Sequence, residues 1–285
     1  VWGNLMEFVK LVGPAGVFFV MFALGTNLTL ESFFKVFKNP KNFLVGLFCQ
    51  CIVLPIIGIF VIIITPLKPE FQFGVFLLLI MPSAAMSNYA TRLANGNVAL
   101  SISLTSFCAL ISFITIPLYL VLFEKLISTY NVNLNLFTFS LKTFIFITLP
   151  VFVGIFCRQK FFKTFEKLSF TLDRMSLIIF LLIVFIAIYT EKDNLTGYFE
   201  DVGVVMAFVL AIVFVSALLI TQIFIKDIES KRAIRIEALL QNGAMGFIIG
   251  SLIFSEIIYL VPIAIYALLQ YTFLLFYLGN IQIKN

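Results

Sequence analysis

Runs of mostly apolar residues recur nine times along the chain, at 9–28, 42–64, 71–94, 97–123, 137–157, 172–190, 202–225, 233–253 and 257–279. About twenty such residues are what a helix needs to cross the hydrocarbon core of a bilayer. No water reaches backbone N–H and C=O groups there, so each run must satisfy them internally. Charged residues make up 12% of the 285 residues, against about 25% in a soluble domain. No polar stretch is long enough for a separate soluble unit. The expected fold is an all-α membrane protein with nine transmembrane helices, a single integral membrane domain over residues 1–285.

The loops carry a directional signal. One alternating set holds fourteen of the nineteen Lys and Arg residues; the other holds only Lys10, Lys68, Lys125, Lys142 and Lys192. Basic loops stay in the cytoplasm, so the N-terminus is expected outside and the C-terminus inside. The same placement absorbs the net charge of +5. No basic stripe with interleaved aromatics points to nucleic acid.

Two runs are interrupted by polar and small residues. In 71–94 the break is Pro82-Ser83-Ala84-Ala85-Met86-Ser87-Asn88, and in 233–253 it is Gln241-Asn242-Gly243-Ala244. Pro82 cannot donate to a helix ladder, and Gly243 weakens one. Unwound backbone at this depth is tolerated only under cover of protein or a water-filled cavity. A pair of interrupted spans, one in each half of a chain, points to the binding site of a transporter. The two spans run in opposite directions, as an inverted repeat requires.

Other chemistries are excluded by composition. The chain has no histidine, which removes His-based triads, HExxH metal sites and His proton relays. Its four cysteines, Cys49, Cys51, Cys108 and Cys157, lie inside apolar runs and are expected as buried reduced thiols. Without a nucleophile–base set or a metal cluster, an enzyme is not expected.

At these residues the chain resembles the bile acid:sodium symporter family, which includes liver and ileal bile acid carriers and bacterial homologues. The resemblance is carried by Ala23-Leu-Gly-Thr-Asn-Leu-Thr-Leu30, Gln50 with Pro55, Ser87-Asn88, Gly96-Asn97-Val-Ala-Leu-Ser101-Ile-Ser-Leu-Thr105-Ser106, and Glu237 with Gln241-Asn242. It implies a panel domain (roughly 9–28 and 137–190) and a core domain (roughly 42–123 and 202–279). Inverted repeats would build these, with two broken helices crossing near mid-membrane. Bacterial members usually have ten spans, so the nine expected here are either native or a truncated ten.

The resemblance also implies two sodium sites. The first maps onto Ser87, Asn88, Ser101, Thr105 and Glu237. The second maps onto Gln50, Glu237, Gln241 and the backbone carbonyls of Ala238 and Leu240. The substrate would lie beside Asn242 and Asn88, with Ser83 and Ala85 standing where relatives carry Gly and Thr. The ligand chemistry agrees, since sodium is a hard cation that takes oxygen donors. Ser101 and Thr105 share a helical face, as do Glu237 and Gln241. Each has a blander reading. Glu237 could be a first-turn glutamate paired with Arg235, Ser101 and Thr105 could back-bond along their helix, and Gln50 could be a plain inter-helix hydrogen bond. Gln270, within the last span, is assigned a structural part.

The resulting expectation is a sodium-coupled symporter that imports an organic anion by alternating access. It would be a monomer and a multi-pass plasma membrane protein, in a bacterial inner membrane. A proton-coupled or uncoupled carrier on the same fold is the alternative, and a membrane sensor or enzyme a remote one.

Overall fold

The computed structural model describes residues 15–16, 18–26, 40–127, 136–190, 195–254 and 256–284. Apart from one isolated bridge, regular structure among them is entirely helical. The helices are α1 (18–26), α2 (Pro40–Ile64), α3 (Pro69–Leu79), α4 (Met86–Leu93), α5 (Val98–Leu126) and α6 (Phe137–Lys160). They continue with α7 (Phe162–Thr190), α8 (Thr196–Phe224), α9 (Ile228–Leu239), α10 (Gly243–Ile253) and α11 (Val261–Lys284). Five described helices, α2, α5, α6, α8 and the one ending the chain, are long and apolar enough to cross a membrane. The expected run 9–28 is described only at 15–16 and 18–26. The runs 71–94 and 233–253 each split into two helices, as their interruptions predict.

Proline shapes two of the long helices. Pro55 has no N–H to offer the Cys51 carbonyl, and one turn earlier the ladder slips to a π-turn over Cys49–Val53. The Cys51 carbonyl is instead taken by the Tyr119 hydroxyl of α5. Pro150 stands in the same relation to a π-turn over Phe144–Thr148 in α6. The bulge in α2 coincides with Gln50, a buried side chain aimed at the middle of the bundle.

Side-chain caps tie three helices together at one end. Asn97 caps α5 through Leu100 N at 3.0 Å, and Asp227 caps α9 through Ser230 N at 2.9 Å. Asn42 of α2 donates to both Asp227 and Ser230, each at 3.0 Å. Burial resists charge on Asp227, but hydrogen bonds from Ser230 and Asn42 together hold its carboxyl below the usual aspartate value. Its ionised form therefore stabilises the fold at neutral pH, and that contribution disappears as pH falls through the folded-state value. Asp227→Ala is expected to cost about 1 kcal/mol at neutral pH. The gap between parent and variant should close below about pH 4, as read by thermal unfolding across pH.

All four cysteines are free thiols; Cys49 and Cys108 are buried as expected, whereas Cys51 and Cys157 are only partly buried.

A buried carboxylate where two broken helices cross

The crossing is built from two short unwound segments. Past Leu79 the chain leaves α3, and Pro82 has no N–H with which to continue the ladder. The helix resumes as α4 at Met86. Leu240 closes α9 with a bond to Ile236 O, then leaves helical geometry at ψ 87°. Asn242 then starts α10 as its cap, its side-chain oxygen accepting from Met245 N at 3.0 Å.

The two segments pair as a minimal antiparallel bridge between Ser83 and Gln241. Ala84 N donates to Leu240 O at 2.9 Å, and Asn242 N to Pro82 O at 3.0 Å. On its other edge, Gln241 meets α11. Its N–H donates to Gln270 Oε1 at 2.9 Å, and its carbonyl accepts from Gln270 Nε2 at 3.3 Å. Tyr266, one turn earlier, donates to Leu239 O at 3.1 Å. These bonds satisfy buried backbone that no helix serves.

Glu237, 3% exposed, sits in the last turn of α9 beside this crossing. One carboxylate oxygen accepts from Ser87 at 2.5 Å and from Ser101; the other accepts from Thr105 at 2.8 Å and from Ser83. The hydroxyls come from three places: Ser83 from the unwound segment, Ser87 from the first turn of α4, and Ser101 and Thr105 from successive turns of α5. Asn88 Oδ1 joins them, 2.9 Å from Ser101 Oγ and 3.5 Å from Thr105 Oγ1. Thr91 reaches Ser101 at 3.2 Å.

Protons are scarce in this cluster. Thr105 has one, yet its oxygen is in hydrogen-bond reach of Glu237, Asn88, the Ser101 carbonyl and the hydroxyls of Ser83 and Ser87. A tight group of oxygens with more approaches than protons suits a hard cation. Among the described residues no basic side chain forms an ion pair with Glu237. Arg235 turns away to Thr221 at 2.8 Å and Gln222 at 3.3 Å, so the first-turn pairing with Arg235 does not form. An unpaired buried carboxylate costs several kcal/mol unless a cation or a proton neutralises it. Among the described residues no three His, Cys, Asp or Glu side chains gather, so the donors are hydroxyl, amide and carboxylate oxygens and not a transition-metal set.

Of the side chains expected for a second site, Gln50 and Gln241 meet each other, while the Glu237 carboxylate is bonded within the first cluster. Gln50 Nε2 donates to Gln241 Oε1 at 3.0 Å and to Met81 O at 2.8 Å. Gln241 Nε2 donates to Ala238 O at 2.7 Å, while Leu240 O is engaged by Ala84 N. Of the residues expected near a substrate, Ser83 instead faces Glu237, and Asn242 spends its oxygen as a cap. Ala85, partly buried, immediately precedes α4. Among the described residues, the buried donor Asn88 Nδ2 has no acceptor. Sequence reasoning missed Thr91 and Tyr266, and it gave Gln270 a structural part without identifying its partner, Gln241. Tyr266 and Gln270 carry the same four-residue spacing that marked Ser101 and Thr105.

Known proteins are similar to this chain in sequence. The model of the Sodium Bile acid symporter family matches residues 14–198. The probable sodium/metabolite cotransporter BASS2, chloroplastic, of Oryza sativa subsp. japonica is 24% identical over 250 residues, 88% of this chain and 59% of its own length. The uncharacterized sodium-dependent transporter YocS of Bacillus subtilis (strain 168) is 27% identical over 248 residues, 87% of this chain and 76% of its own. The ileal sodium/bile acid cotransporter of Homo sapiens is 25% identical over 149 residues, half of this chain and 40% of its own. This chain thus spans about three fifths of the rice relative. With the match extending over more than half of its length, the chain belongs to the Sodium Bile acid symporter family, whose members are membrane transporters and not enzymes.

Proposed function

We propose that the protein is a sodium-coupled symporter that carries an organic anion into the cell by alternating access. The observation that carries this reading is Glu237, a buried carboxylate with no basic partner among the described residues, ringed by hydroxyls at the crossing of two broken helices. One sodium ion takes oxygens from Ser87, Asn88, Ser101, Thr105 and Glu237, with Ser83 as an additional donor. A second takes Gln50, Gln241, Glu237 and the carbonyls of Ala238 and Leu240.

The ions organise the anion site. Sodium draws the hydroxyl oxygens and Asn88 Oδ1 together, which orients Asn88 Nδ2 toward an acceptor. The N-termini of α4 and α10, both at the crossing, add partial positive charge favouring an anion. The substrate lies beside Asn242, Asn88 and Ala85. Sodium couples to the substrate because it favours the state that binds the anion. A core (roughly 42–123 and 202–279) rocks against a panel (roughly 9–28 and 137–190), each built from inverted repeats. The protein works as a monomer in a bacterial plasma membrane, N-terminus outside and C-terminus in the cytoplasm.

The deciding experiment is uptake of candidate organic acids into proteoliposomes at fixed pH, with sodium replaced by choline. Candidates come from a thermal-shift screen with and without sodium. Uptake that survives in choline rejects sodium coupling. A proton is the other way to neutralise Glu237, so uptake in choline driven by an inward proton gradient would establish the second reading.

Asn242→Ala is expected to weaken the anion more than sodium. Its lost cap costs about 1 kcal/mol of stability, while the anion's affinity falls roughly ten-fold for one lost hydrogen bond. Calorimetry showing equal losses for both ligands would remove Asn242 from the substrate site.

A further inference from the structure

We propose that Gln270, with Tyr266 in support, is a positioning residue for the cation site formed by the end of α9 and the unwound residues Leu240 and Gln241. It touches neither ion nor substrate. The inference rests on the sodium reading above and assigns a task to a side chain outside both ligand sets.

The argument starts from the geometry of an extended segment. Successive residues there direct their backbone groups to opposite edges. Leu240 O and Asn242 N face the 82–84 segment and bond to Ala84 N and Pro82 O. The N–H and carbonyl of Gln241 face the opposite way, toward α11. Gln270 is 1% exposed, and its amide exchanges both bonds with that one residue, as a third strand would. A β-bridge partner supplies this pairing from backbone; here a side chain supplies it from a helix.

Two edges held at once fix the rotation of the segment about its own axis. That rotation determines where the Leu240 carbonyl points and where the Gln241 side chain goes, beside the Ala238 carbonyl in the last turn of α9. Gln241 in turn takes Gln50 Nε2 at 3.0 Å and gives its own Nε2 to Ala238 O at 2.7 Å. Tyr266 lies four residues before Gln270 on the same face of α11 and holds Leu239 O, the last carbonyl of α9. The clamp therefore runs from the end of α9 across the break. Without it, the bridge to 82–84 still holds one edge, so the segment persists but can swivel. Cation affinity drops while the fold remains.

The test uses the ion alone. The detergent-solubilised full chain is unfolded thermally in rising sodium chloride, with choline chloride holding ionic strength constant. Gln270→Met keeps the side-chain length and removes both bonds; Tyr266→Phe removes one. The sodium concentration for half-maximal stabilisation is expected to rise roughly ten-fold in Gln270→Met and roughly three-fold in Tyr266→Phe. A merely structural role would lower the melting temperature equally at every sodium concentration and leave that midpoint in place. An unmoved midpoint in both variants, with the parent clearly stabilised by sodium, overturns the positioning role and leaves the sodium reading intact. A parent that sodium does not stabilise overturns the sodium reading, and the positioning role with it. Should Gln270→Met not fold, the midpoint of Tyr266→Phe decides alone.

Discussion

Glu237→Gln is expected to abolish sodium-dependent uptake and the stabilisation of the protein by sodium, while leaving the sodium-free protein at least as stable as the parent. The two halves of this result come from one cause. Burying a carboxylate without a paired charge is costly, and Gln removes the charge while keeping the shape and a side-chain oxygen. Gln offers an acceptor oxygen to one pair of the hydroxyls of Ser83, Ser87, Ser101 and Thr105 and an NH2 to the other pair, whose oxygens turn to accept its hydrogens, so the crossing keeps its hydrogen-bonded contacts. What is lost is the negative charge that makes the oxygen cluster a cation site. In the parent, sodium at about a hundred times its dissociation constant adds about 2.7 kcal/mol by mass action; in the variant it adds nothing. Thermal unfolding in sodium and in choline reads both halves together. A variant that melts far below the parent without sodium would make Glu237 a structural residue. One that retains the sodium shift would move the cation elsewhere.

Gly154→Leu is expected to be among the most damaging substitutions outside the crossing, costing about 3 kcal/mol or more. Where α1 meets α6, the two backbones touch. A Cβ at Gly154 would lie 2.4 Å from Phe22 O and 2.8 Å from Gly25 Cα, and one at Gly25 would lie 2.2 Å from Val151 O. The obstructing atoms are backbone, so no side-chain rotation relieves the clash and the helices must separate. Small residues permit such close approach in membranes, where packing rather than hydrophobic burial holds helices together. Gly197→Ala is the matched control, because a Cβ there meets nothing within 4 Å. The folded fraction surviving detergent extraction and heating compares the two; a Gly154→Leu protein as robust as Gly197→Ala would show that this contact is dispensable.

Much of the candidate site was legible because isolated polar groups in apolar runs are costly and therefore conspicuous. Ser87, Asn88, Ser101, Thr105, Glu237 and Gln241 were each marked by type and spacing, Gln50 only by the family resemblance, and the fold brings them into two adjoining clusters. Ser83 was legible as a member of the break but not as a partner of Glu237. Its direction depends on how the 82–84 segment twists against Gln241, and a linear pattern does not contain that. Gln270 was read as structural because a lone amide in an apolar helix gives no clue to its partner.

From the chain alone come the membrane class, the helical runs and the two places where they break. Local rules decide these: the length of apolar sequence, the missing N–H of Pro82 and the weak helix at Gly243. Tertiary structure alone determines that the breaks pair edge to edge, that Arg235 leaves Glu237 to the hydroxyls, and that α11 closes the far edge. Those outcomes depend on which groups from distant segments can satisfy one another where water does not compete, a question of three-dimensional supply and demand for hydrogen bonds.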